Sequence, residues 1–71
     1  MDTPKLVVQF EREEDGRWIA EVPALAGVLA YGDTEASARV HVQALALRVI
    51  ADRLDNGEAL PGEIAGVFEA A

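Results

Sequence analysis

The chain has 71 residues, 51% of them apolar, no cysteine, and a formal charge of −7 from 13 acidic and 6 basic side chains. That length sets one domain, residues 1–71, near the lower limit for independent folding. The lack of cysteine excludes disulfide staples, and His41 as the sole histidine leaves little to hold a structural metal, so self-association is the remaining stabiliser. The acidity disfavours direct nucleic-acid binding and favours a basic protein partner. No apolar run is long enough for a signal peptide or for the roughly 20 residues that span a membrane, so the expected setting is cytoplasmic, with no membrane partner.

Residues 5 to 11, K-L-V-V-Q-F-E, are rich in β-formers and place Leu6, Val8 and Phe10 on one side. Residues 17 to 22, R-W-I-A-E-V, place Trp18, Ala20 and Val22 on one side and Ile19 and Glu21 on the other. The Asp15-Gly16 pair between them predicts an antiparallel hairpin. Pro23 ends the second strand, because it has no amide hydrogen for a ladder. A short turn leads to a third strand in G-V-L-A-Y, which Gly32-Asp33-Thr34 closes. Gly27 and Gly32 are read as positive-φ positions at strand ends.

Thr34 stands at a helix N-cap, and no glycine or proline interrupts the chain from Glu35 to Leu54. A helix of that length is about 30 Å long. Ser37 occupies the third helical position where a capping box would have glutamate, so the box reads as incomplete. Asn56-Gly57 and Pro61 stop the helix. The tail G-E-I-A-G-V-F-E-A-A is ambiguous between a helical turn and a short fourth strand built on Ile64, Val67 and Phe68, with the strand preferred. The fold class is therefore α+β: a three-stranded antiparallel sheet, one long helix packed on it, and a possible fourth strand.

At 100° per residue the helix carries two apolar faces. Ala38, Val42, Leu45 and Val49 share one; Val40, Leu47, Ala51 and Leu54 share the other, flanked by Ile50. The sheet covers only one of them, and the ten-residue tail is short for the second. Val40, Leu47, Ile50 and Leu54 are thus expected to form a homo-oligomer interface, as a dimer or dimer of dimers.

No catalytic, cofactor or metal site is expected, and the chain reads as a binding module rather than an enzyme. His41, the one plausible general base, lacks an acidic orienter and oxyanion donors. The glycines form no phosphate loop. Glu11, Glu13, Glu14 and Asp15 read as a solvated hairpin tip, without the alternating ligands of a calcium loop.

The order D-G-R-W-I-A-E-V-P-A-L-A-G-V-L-A-Y-G-D-T, then an alanine-rich helix, then N-G-E-A-L-P, resembles the HicB-like antitoxin family over about residues 6 to 61. The residues that carry the resemblance are Asp15-Gly16, Trp18, Val22-Pro23, Leu25, Gly27, Gly32-Asp33-Thr34, Ala38, Gly57-Glu58 and Pro61. Ala26 departs from the family's usual second proline. The resemblance implies a β-β-β-α-β, partial ribonuclease H-like arrangement. It also implies a protein that neutralises a small basic HicA-like toxin, an mRNA-cleaving ribonuclease, by covering its active surface. The chain resembles a short form without the family's C-terminal DNA-binding domain. Glu11, Glu13, Glu14 and Asp15 are the expected toxin-facing residues, with Asp33 and Asp52 as additional carboxylates. The competing reading is an orphan oligomeric scaffold or small-ligand protein of the same fold.

Overall fold

A computed structural model of the chain describes residues 3–71. It contains β1 (Gln9–Arg12), β2 (Trp18–Glu21), β3 (Leu29–Gly32), α1 (Glu35–Asp55) and a single 3-10 turn, Gly62–Ile64. The sheet is antiparallel in the order β1-β2-β3, with α1 packed on one face, mainly against β3 and then β2. This is the α+β architecture that the sequence predicts. The preferred fourth strand is not there: among the described residues no strand follows α1, and Ile64 enters the core from the 3-10 turn instead.

Chain chemistry explains each junction. Gly16 closes the β1–β2 hairpin with a φ of +91°, and Asp15 accepts the Arg17 N–H at 3.1 Å to fix the turn. Strand β1 is shorter than the β-forming run from residue 5. The register pairs Gln9 with Glu21, so the next bonded pair would be Val7 with Pro23, which has no N–H to give. The ladder therefore stops, although exposure still alternates strictly from Lys5 to Glu11.

Between β2 and β3 the backbone bonds Leu25 N–H to Val22 O, Val28 N–H to Leu25 O and Val22 N–H to Val28 O knit a compact turn. It plants Val22, Leu25 and Val28 in the core while Pro23, Ala26 and Gly27 stay outside. Gly27 has the expected positive φ, but Gly32 does not. A Cβ on Gly32 would collide with the Ser37 hydroxyl and the Ala38 backbone, so glycine stands there for space rather than for φ.

Thr34 caps α1, accepting the Ser37 N–H at 3.0 Å. The capping box is complete after all, because the Ser37 hydroxyl takes the Thr34 N–H at 3.5 Å. Serine at the third helical position thus makes the reciprocal bond for which a glutamate was expected. At the other end, Gly57 N–H meets Leu54 O and Glu58 N–H meets Arg53 O, a Schellman closure.

The core is entirely aliphatic: Ala20, Val22, Leu25 and Val28 from the sheet side, Ala38, Val42, Ala46 and Ile50 from α1, and Ile64. The helix row follows a spacing of four, which moves its buried line from the expected Leu45 and Val49 to Ala46 and Ile50. Leu45 and Val49 flank the core half-buried.

Candidate binding surface

Alternation along the strands divides the aromatics between two faces. Trp18 shares the parity of Ala20 and Val22 and packs against the core. Tyr31, paired with Ile19, lies on the opposite, open face together with Gln9, Glu11, Glu21 and Leu29. Leu29 and Tyr31 are exposed there, and Glu11 and Glu21 rim the same surface. Gln9, Glu11, Ile19, Glu21 and Leu29, with Phe10, line a hollow of about 260 Å³. The sequence reading missed this mixed apolar and acidic face. Its signal was present in the odd-numbered positions of the three strands, whose partners were hidden until the register was known.

The four carboxylates expected at the hairpin do gather: Glu11, Glu13, Glu14 and Asp15 line one depression with Arg12 and Arg17. They are not equivalent. Asp15 is already engaged, its carboxylate 2.9 Å from Arg17 Nε. The Arg17 N–H first, joined by the Arg17 side chain, holds Asp15 below its ordinary carboxylate range, against the opposing effect of desolvation. Glu13 is half-buried and spends its N–H on the Arg17 carbonyl at 2.7 Å. Glu11 and Glu14 are exposed, so they and Glu21 carry the open charge. Arg17 also lies over the Tyr31 ring, 4.9 Å from its centroid, and ties the hairpin to the open face.

His41 is exposed on α1, and its Nδ1–H donates to the Tyr31 carbonyl at 2.8 Å. Ser37, one turn earlier, is occupied by the Thr34 cap. Arg17, Tyr31, Asp33, Ser37 and His41 border one shallow surface, yet the ring's bond is to a strand edge rather than to a neighbouring acid. This arrangement suits a structural clasp. Among the described residues no three metal-ligating side chains converge.

The expected oligomer stripe divides. Val40, Leu47 and Leu54 are exposed, at 61%, 68% and 43%. Ile50 is a correction: at 8% exposure it belongs to the core row, and a partner would not reach it. The tail leaves the stripe open and, beyond the buried Ile64, is itself exposed, with Phe68 at 74%. Asp33 and Asp52 are exposed, near the start and end of α1. Among the described residues no helix is long and apolar enough to cross a membrane. Comparison of the chain with protein-family models, with curated proteins and with solved structures finds no match in any of the three.

Proposed function

We propose that the chain is an antitoxin-like binding protein of the HicB kind, which neutralises a small basic, mRNA-cleaving HicA-type toxin by covering its active surface. One observation carries this reading beside the sequence resemblance: exposed Leu29 and Tyr31 lie on an open sheet face rimmed by Glu11 and Glu21. Apolar groups inside an acidic rim suit a basic protein. The carboxylates speed encounter and orient it, and the tyrosine and leucine, once covered by the partner, supply affinity. The same charge repels RNA, so occupation of the toxin by this face and by RNA is mutually exclusive.

The test is co-expression with a basic chain of similar size encoded by the neighbouring reading frame. The pair should co-purify, and growth arrest by the basic chain should be relieved. Glu11→Lys with Glu21→Lys should weaken the complex and flatten its salt dependence. A chain that neither binds nor rescues refutes the proposal.

The exposed stripe Val40, Leu47 and Leu54 favours a second element of the reading, self-association in a cytoplasmic homo-oligomer. It fits equally an orphan scaffold of the same fold. Helix α1 carries Glu35, Asp52 and Asp55 against Arg39, Arg48 and Arg53, so this side of an acidic molecule has no net charge to repel a copy. Leu47→Glu should shift the sedimenting species toward monomer.

A further inference from the structure

The two edges of the sheet are unequal. At the two ends of β2, the bonds from Val22 N–H to Val28 O and from Glu13 N–H to Arg17 O fix the alternation of both ladders. Ile19 and Glu21 therefore bond to β1, while Trp18, Ala20 and Val22 bond towards β3. The outward backbone groups are those of Leu29 and Tyr31 on β3, and of Val8, Phe10 and Arg12 on β1. On β3 the Tyr31 carbonyl is already taken by His41. Among the described residues nothing is bonded to the outer edge of β1, and no further strand covers it. Natural edges are commonly blunted by charge, proline or a covering element. Here one edge has a clasp, and the other presents a run of β-formers from Leu6 to Phe10.

The inner face of β1 is unfinished in the same way. Because α1 packs over β3 and β2, Leu6, Val8 and Phe10 are only half-buried. Leu6 and Val8 line an apolar groove of about 330 Å³ with Val22, Gln43, Ala46 and Leu47. Leu47 is also the centre of the exposed helix stripe, so edge, inner face and stripe form one continuous open region.

We propose that β1 is the pairing edge for a second copy of the chain: two β1 strands join antiparallel about a two-fold axis at Gln9 to make a continuous six-stranded sheet. This deepens the self-association reading and rests on it. Among the registers that the outward groups allow, centring on Gln9 places Val8 opposite the partner's Phe10 and Arg12 opposite the partner's Leu6, so the bonded positions from 6 to 12 are all used. It also sets Lys5 opposite the partner's Glu13, twice by symmetry, and opposite charges across strands are stabilising. Centring one residue earlier would need an N–H from Pro4. Centring one residue later would set Val8 against Arg12 and leave Leu6 against Glu14. In the proposed register the half-covered Leu6, Val8 and Phe10 of both copies meet between the two helices, and both open acidic faces lie on the other side of one sheet.

Gln9 would sit opposite its own copy in a non-hydrogen-bonded pair, where Cα atoms are about 4.5 Å apart and a disulfide can close. The chain has no other cysteine to confuse the result. Gln9→Cys should oxidise rapidly to a covalent dimer of twice the 7.6 kDa chain mass. Val8→Pro removes an N–H that the monomer fold does not use, so it should give monomer in sedimentation with unchanged circular dichroism. Lys5→Glu alone should weaken the dimer, and Lys5→Glu with Glu13→Lys should restore it. A monomeric wild-type chain overturns both this proposal and the self-association reading. A dimer that Leu47→Glu breaks, but that Val8→Pro leaves intact and Gln9→Cys fails to link, overturns the β1 register alone. Loss of the open edge to the chain's own tail also overturns it, and would show as a dimer only after residues 66–71 are removed.

Discussion

Between β2, β3 and α1 the core is closed, while on the side of β1 and its hairpin it is open. In the first, Ala20, Val22, Leu25, Val28, Ala38 and Val42 are at most 3% exposed. Gly32 lies directly against α1, and even a strand-edge carbonyl has its donor in His41. In the second, no β1 side chain is fully buried, the ladder stops at Gln9, and the outer edge is bare among the described residues. The difference follows from where one helix can lie. A cylinder about 10 Å across covers two strands spaced roughly 4.8 Å apart, and the third is left for something else. A chain of this size thus completes one side of its core by itself and leaves the other open.

The sharpest way to break the closed half is Gly32→Val. Its side chain would have to displace backbone at Ala38, which cannot move cheaply, so a loss of at least about 3 kcal/mol is expected in urea unfolding. Next is Leu25→Ala, which empties a fully buried site and should cost about 2–5 kcal/mol. Val7→Ala on the open half should change stability by only about 0.5 kcal/mol or less. If the two cost the same, the contrast between halves is wrong. Thr34→Ala removes the cap that joins β3 to α1 and should cost about 1 kcal/mol, read from the denaturation midpoint.

The smallest effect belongs to the hairpin. Asp15 is held below its ordinary value of 3.8 by the Arg17 N–H and side chain. A depressed folded pKa gives stability that is present above the unfolded pKa and lost as pH falls through the folded one. Asp15→Asn should therefore lower the midpoint slightly near neutral pH and converge with the unaltered chain in acid, once Asp15 is protonated in the folded and unfolded states alike. A gap that persists in acid would assign the effect to the turn backbone instead of the charge.

Local chemistry was readable because it depends on few residues. Gly16, Thr34 and Gly57 mark the hairpin, the helix start and the helix stop wherever such spacings occur, and each stands at its expected place. The acidic hairpin was legible for the same reason. The open face was not, since Leu29 and Tyr31 become neighbours of Glu11 and Glu21 only when three strands are in register.

By itself, then, the sequence determined the element order, the caps, the strand parities and the presence of two apolar helix faces, all set by steric preference and periodicity within a few residues. Only the tertiary structure decided that Ile50 is core, that Ser37 completes the cap, that Gly32 is needed for space, and that the tail makes a turn instead of a strand. The burial of Ile50 and the need for glycine at position 32 depend on how closely α1 meets the sheet. That distance is a property of the packed whole, and no window of neighbouring residues contains it.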